Sequence, residues 1–396
     1  MEKLTKKLNI AIVCDSMDYI VGGSFASIRR FTEKLGDRGH NIVIITTKEY
    51  SDKRIKHSLN RFTTYRFIAT PPIGPDRFRS IILTEPALKK ILVKNKIDIV
   101  YNVFPIPSGF VTVKIAKKLK IPIVAHCHIQ AEGIIYVNKT FRPLIYLFYR
   151  YLTNFFNKSD HVIFPSKFAQ KTYQKHKLKT TSTVISNGID LTRFKVLPEE
   201  KTRYLFKKYK IKKGKTNLIY VGRIAPEKNV ETLIRAIPQI LSECPKSQFI
   251  IIGKGKKVKS FSKWLEKKGI FENVLMLDKV PDEDIAPLLN LGDLFIYPSL
   301  LELEGIVLLE AMACGLPLLI ANSPSSASPY LLEDNGFTFE ARNSGDIATK
   351  VIYMIKHPLL LQKMRKQSLK VVPKYNIEKS VDKLEKVFNK LIIIGH

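Results

Sequence analysis

Acidic side chains are scarce in this chain. Thirty-five Asp and Glu stand against 66 Lys and Arg, a formal net charge of +31. Such an excess points to anionic partners: nucleic acid, an anionic membrane face or phosphorylated substrates. Cysteine is sparse as well. Cys14, Cys127, Cys244 and Cys314 lie far apart with no Cys-x-x-Cys pair, which argues against a disulfide framework and leads us to expect an intracellular chain. Nowhere do about 18 apolar residues follow one another, so no membrane-spanning helix is expected and any membrane contact should be peripheral. The apolar run from Leu8 to Cys14 stops at Asp15 without a small-residue cleavage site, and reads as a first strand rather than a signal peptide. No complete Gly-x4-Gly-Lys-[Ser/Thr] sequence occurs, which disfavours a P-loop NTPase.

What is present is a long, ordinary globular sequence. It has 396 residues with 45% hydrophobic content, enough for two or three domains of roughly 150 residues. Continuous apolar runs at 9–14, 41–46, 97–103, 121–126, 162–165 and 183–185 alternate with helical patterns. Runs of this kind suit strands buried on both faces, and the alternation means βαβ units with parallel sheets. After a pause around Ser186–Asp190 and a lysine-rich stretch, alternation restarts at 217–222 and continues at 248–252, 274–277, 294–297 and 318–320. The expected architecture is α/β, with two Rossmann-like domains whose parallel sheets face each other across a cleft. Residues 1–192 would form the first domain and 193–377 the second. An amphipathic helix at about 378–396 would pack back on the first.

The most informative stretch is Tyr297-Pro-Ser-Leu-Leu-Glu302-Leu-Glu304-Gly305-Ile306-Val307-Leu308-Leu309-Glu310. A strand ends, a loop carries Glu302, Gly305 lets the backbone approach a ligand, and a helix begins. The first N–H groups of that helix lack intrahelical partners and offer a site for phosphate. Glu310 lies about one and a half turns into the helix. After an earlier strand, Gly222 is followed by Arg223 and Lys228, two cations five residues apart that either act together on an anion or stay as solvated loop charges. Fixed donors of this kind supply on the order of 3–4 kcal/mol each to a transition state that develops charge. Asp282-Glu283-Asp284 is a D-x-D string, but acids opening a helix more simply complement its dipole. His126 and His128 end a strand on one face, and no third zinc ligand is spaced suggestively nearby.

These segments together resemble the retaining GT-B glycosyltransferases of family 4. Glu302 and Glu310 match the family's Glu-x7-Glu motif, and Tyr220–Val230 resembles its Gly-Arg…Lys element. Gly292–Ser299 resembles the strand before the motif, and Ser186–Asp190 the end of the first domain. The Gly22-Gly23 loop and His128 also match. The resemblance covers nearly the whole chain. It implies metal-independent transfer of a hexose from a UDP- or GDP-sugar, which is a substrate, with no cofactor. It assigns His128 to the donor sugar near the reacting carbon, Arg223 and Lys228 to the pyrophosphate, Glu302 to the sugar and Glu310 to the ribose. Gly22, Gly23, Gly253, Val280, Gly305, Ile306 and Val307 fall among donor-binding positions. The sequence departs from the pattern at Asn322–Pro329, where a Gly-Gly-x-Pro-Glu run is frequent, and at Glu304, where an aromatic residue is frequent.

Residues 136–158 are unusual in another way. Eight of the 23 are aromatic and four are Lys or Arg, with no acid. A helix of this composition can lie in a lipid interface, rings at headgroup level and cations on phosphate. It can equally be a buried helix that uses its rings as core. Phe141, Arg142, Phe148, Tyr149 and Arg150 are the residues expected to meet an anionic membrane or a lipid acceptor in the first case. The acceptor would then be a membrane lipid or lipid-linked glycan, and the enzyme would sit peripherally on the inner membrane face. A soluble or polysaccharide acceptor is the alternative. A nucleic-acid-binding protein is a remote one, since no recognition motif or stacking platform accompanies the charge.

Overall fold

The structure is a computed structural model and describes residues 7–15, 17, 23–48, 59–71, 79–137, 139–278 and 280–395. The chain separates into two units. One comprises Met1–Gly188 with Ile377–His396, the other Ile189–Asn376. The passage at Gly188–Ile189 falls slightly ahead of the 192/193 boundary drawn from the sequence.

Among the described residues the first unit contains a seven-stranded sheet. Its strands are β1 (Asn9–Val13), β2 (Asn41–Thr47), β3 (Thr63–Phe67), β4 (Ile99–Asn102), β5 (Ile123–His126), β6 (His161–Phe164) and β7 (Ser182–Val184). Their order is β3-β2-β1-β4-β5-β6-β7, and every pairing is parallel. Ile12 lies between Ile44 and Tyr101 in register. All three are buried, as a central strand covered on both faces requires. The edge strand β3 is mostly half-exposed.

The C-terminal helix Ile377–Gly395 belongs to this unit. Val381, Leu384 and Phe388 repeat at helical spacing and enter the core with Leu8, Ile10 and Tyr101. Arg38 fastens the same helix by ion pairs to Glu378 (2.8 Å), Asp382 (2.6 Å) and Glu385 (2.6 Å). The Leu8 backbone N–H donates to His40 Nδ1 (3.1 Å). The His40 proton therefore sits on Nε2, which donates to Glu385 Oε1 at 2.8 Å.

The second unit contains, among the described residues, a six-stranded sheet. Its strands are β8 (Thr216–Val221), β9 (Ser247–Ile252), β10 (Val274–Leu277), β11 (Leu294–Tyr297), β12 (Leu318–Asn322) and β13 (Gly336–Glu340). Their order is β10-β9-β8-β11-β12-β13, again parallel throughout. Helices Val230–Glu243 and Ile306–Ala313 follow β8 and β11. In such sheets the strand order reverses at one point, and the loops leaving the carboxyl ends there make the ligand crevice. In this unit that point lies between β8 and β11. In the first unit it lies between β1 and β4.

Candidate active site

The two loops at the β8/β11 switch point carry the cations and Glu302. After Gly222, Arg223 extends with its side chain 49% exposed and pairs with Glu227 at 2.7 Å. A 3-10 turn Pro226–Lys228 follows, and Asn229, at φ +51°, starts the next helix. Leu300 N–H donates to the Glu227 carbonyl (2.8 Å), tying the β11 loop to that turn. Lys228 is 14% exposed and Glu302 12%, and the two form an ion pair. Glu302 Oε1 also accepts from Tyr297 OH (2.5 Å) and Ser299 Oγ (2.7 Å). Lys228 Nζ lies 3.3 Å from Tyr297 OH. Burial and the Glu302 charge push the Tyr297 phenol well above its usual range, so it remains a donor.

Lys228 is thus seated against a carboxylate away from solvent, while Arg223 pairs with Glu227 and stays half-exposed. Glu227, Tyr297 and Ser299 complete the group. Sequence reading did not assign them roles, although Glu227 adjoins Lys228 and Ser299 follows Pro298. Tyr220 stacks on Tyr297 (6.2 Å, 22°) and donates to the Arg223 carbonyl (2.8 Å), which braces the loop from below.

Gly253 follows β9 and lies against this loop. A β-carbon on it would lie 1.8 Å from the Gly222 carbonyl oxygen, so the position must be glycine for the two turns to stack. Gly305 has φ +92° and ψ 59° and caps the Ile306–Ala313 helix. That left-handed conformation suits glycine. Ile306 and Val307 form the first half-exposed residues of the helix. Glu310 is half-buried one turn on, and its charge reaches Arg193 and Cys314. Glu304 is buried. Val280 packs, half-buried, on the core of this unit.

The Asp282-Glu283-Asp284 string opens a helix. Asp284 is buried and accepts from Tyr204 OH (2.6 Å), Tyr209 OH and Lys208. Asp282 pairs with Arg193 at 2.8 Å. Among the described residues no group of three or more His, Cys, Asp or Glu is placed to hold a metal ion.

In the first unit, His126 and His128 follow one another at the end of β5 with ring centroids 4.0 Å apart. His126 is buried and its Nδ1 pairs with Tyr101 OH. His128 Nε2 is sealed from solvent with no hydrogen-bond partner among the described residues. Burial pushes the His128 imidazole down to about 3, so it is neutral. Gly23 opens the helix Gly23–Asp37. Gly22 lies outside the described residues. Asp15 stands just after β1, where the apolar run of the first strand ends. It is a buried carboxylate that accepts from the Ile81 N–H and from Ser108 Oγ (2.9 Å).

The aromatic segment resolves into the helix Ile145–Phe156 and the turn before it. Tyr146, Leu147, Phe148 and Tyr151 are exposed, as are Phe141, Arg142, Leu144 and Arg150. Tyr149 is a correction: it is only 1% exposed. Helical spacing places it on the inner stripe with Leu152 and Phe156, so it cannot meet lipid. No described helix is long and apolar enough to cross a membrane.

Two parallel-sheet, Rossmann-like units, with cations gathered at the switch point of the second, define a protein of the GT-B fold. Residues 201–371 match the family model of glycosyl transferases group 1, and residues 21–193 that of glycosyltransferase family 4. The chain belongs to that glycosyltransferase family. It is similar to alpha-monoglucosyldiacylglycerol synthase of Streptococcus pneumoniae, with 27% identity over 80% of this chain and 72% of that protein. The GPI3 subunit of phosphatidylinositol N-acetylglucosaminyltransferase from Saccharomyces cerevisiae is 26% identical over 85% of this chain and 72% of its own length. N-acetyl-alpha-D-glucosaminyl L-malate synthase of Bacillus anthracis is 23% identical over 96% and 97%. Among solved structures, Anabaena HepE in complex with UDP and glucose has a TM-score of 0.78 at 19% identity, covering 97% of this chain and all of that one.

Proposed function

We propose that this enzyme moves a hexose from a UDP- or GDP-sugar to a membrane lipid or lipid-linked glycan, with retention of anomeric configuration and without a metal ion. The observation that carries the reading is the Lys228–Glu302 pair at the β8/β11 switch point, braced by Tyr297 and Ser299. Glu302 holds the ammonium in place before the donor arrives, so little reorganisation is needed when charge develops. Arg223, more exposed and paired with Glu227, swings between that carboxylate and the pyrophosphate. The N–H groups of Ile306 and Val307 add the positive end of a helix. The anomeric C–O bond to the diphosphate breaks as the acceptor oxygen bonds to the same face of that carbon. The acceptor proton passes to the departing phosphate. Glu310 takes the ribose, and His128, neutral at its pKa of about 3, bonds to the sugar without titrating. Gly23, Gly253 and Gly305 allow the backbone to come close to the donor.

The lipid acceptor is supported by the names of the glycolipid-forming relatives and by the exposed rings and cations of residues 141–151. Each Lys or Arg near an anionic leaflet contributes about 1 kcal/mol. The malate-linked relative favours a second reading, the same transfer to a small soluble acceptor. Peripheral binding to the inner membrane face goes with the first reading only.

One assay separates them. Purified enzyme is given UDP-glucose, UDP-galactose, UDP-N-acetylglucosamine or GDP-mannose, with vesicles of phosphatidylglycerol containing diacylglycerol or phosphatidylinositol, and in parallel with malate. Each reaction is run with and without EDTA. Glycolipid with an α-linkage by NMR supports the proposal. Transfer only to malate, loss of activity in EDTA, or a β-linked product each removes the corresponding part.

A further inference from the structure

The buried Tyr149 has a use the sequence did not suggest. Its hydroxyl donates to Glu132 Oε2, four positions after His128. Burial and the Glu132 charge push the phenol well above its usual range, so it stays protonated and donating. Its ring stacks on His176 at 3.9 Å with an interplanar angle of 7°. Tyr146, on the exposed side of the same helix, also lies against His176, at 6.1 Å. A second phenol, Tyr173 OH, donates to the Ile129 carbonyl at 2.6 Å, and its ring packs edge-on to Tyr149 at 5.4 Å. The loop from Cys127 to Glu132, which carries His128, is therefore held from two helices by two phenols. One of those helices presents an apolar, cationic outer face to solvent.

We propose that Tyr149 is a positioning residue, coupling the outer face of the Ile145–Phe156 helix through Glu132 to the His128 loop, so that an anionic lipid surface on that face tightens the loop. The inference rests on the lipid-surface reading given above. The outer face commits to that occupant by its charge: residues 136–158 carry Lys and Arg but no acid, with exposed rings between them. From its inner face Tyr149 reaches the loop by the hydrogen bond to Glu132. When the helix settles on a surface, Tyr149 moves with it and Glu132 follows.

Hydrogen–deuterium exchange tests this without knowledge of donor or acceptor. Wild type, Tyr149→Phe, Glu132→Ala and Glu132→Gln are each followed with and without phosphatidylglycerol vesicles, and flotation is recorded for the same samples. In the wild type, vesicles should slow exchange of a peptide spanning 127–133 severalfold. Tyr149→Phe and Glu132→Ala should float equally well yet lose that slowing, and Glu132→Gln, which still accepts a hydrogen bond, should retain most of it. If all variants float and slow alike, the coupling is wrong while the surface reading stands. If the wild type does not float, the surface reading falls and takes the coupling with it. Should Tyr149→Phe be unfolded by circular dichroism, the contrast between the two Glu132 variants decides.

Discussion

Lys228 and Glu302, 74 positions apart in sequence, form an ion pair in which both side chains are almost closed to solvent. Neither residue alone explains the arrangement. The carboxylate accepts from Tyr297 and Ser299 as well as from the ammonium, so the pair is a fixed element and not two mobile loop charges.

Breaking this pair should separate stability from catalysis. Removing one partner of a nearly buried pair strands the other, whereas replacing both can be close to neutral. Lys228→Met should lower kcat about a hundredfold or more and cost about 1–3 kcal/mol of stability. Adding Glu302→Gln should restore most of the stability and none of the activity. Urea melts and initial rates on the wild type and the two variants check this; recovery of turnover in the double variant would refute the assigned role of Lys228.

Gly253 gives a backbone test. A methyl group there would meet the Gly222 carbonyl oxygen at 1.8 Å, and neither backbone can yield cheaply. Gly253→Ala should therefore cost about 1–3 kcal/mol and displace the Arg223 loop, raising the donor KM. Gly269, where a β-carbon meets nothing within 4 Å, provides a comparison: at φ +69° an alanine costs about 1 kcal/mol from backbone strain alone and should leave KM unchanged.

Asp15 and Glu385 should respond to pH with opposite signs. Burial raises Asp15 to about 6 against the hydrogen bonds from Ile81 and Ser108. A raised carboxyl pKa means that the folded state holds the proton more tightly than the unfolded one. Its contribution therefore falls as pH rises from about 4 to about 6, by at most about 3 kcal/mol. The stability of wild type relative to Asp15→Asn should shift toward the variant across that window. For Glu385, burial alone would raise the carboxyl, but the bonds from His40 and Arg38 outweigh it and hold it below the usual range. Its contribution is present above the ordinary carboxylate pKa and disappears as pH falls through the depressed value. Glu385→Gln should flatten the acid limb of the stability curve, read by denaturant melts from pH 3 to pH 7.

The outer face of the Ile145–Phe156 helix can be altered without touching the core. Phe148→Ser with Arg150→Glu should weaken flotation with phosphatidylglycerol vesicles about tenfold or more, since reversing one cation alone removes an attraction of about 1 kcal/mol and adds a repulsion. Melting temperature should stay within a degree or two. Tyr149→Ala, by contrast, empties a buried aromatic site and should cost about 3–5 kcal/mol. Equal vesicle binding by the Phe148/Arg150 variant would show that lipid does not meet this face.

The central strands were legible because they are buried on both sides and therefore apolar without interruption, as Asn9–Val13 and Ser247–Ile252 show. The edge strands β3 and β13 were not. Thr63–Phe67 and Gly336–Glu340 keep one flank half-exposed, so selection on burial leaves a mixed polar pattern that reads as loop. Among candidate site residues, Arg223, Lys228 and Glu302 stood out because a glycine or a helix start sits beside each. Asp15 carried no such marker. Its significance comes from Ser108 and Ile81, which are distant in sequence and reach it only through the order of the sheet.

Sequence by itself determined the two parallel-sheet units, the glycosyltransferase family and the residue types at the phosphate-binding loops, because burial on both faces and close backbone approach each demand a narrow set of residues at adjacent positions. Which charges are paired was decided by tertiary structure alone. So was the side of the aromatic helix that Tyr149 takes. Pairing depends on atoms brought within about 3 Å from far apart in the chain, and no local pattern records that distance.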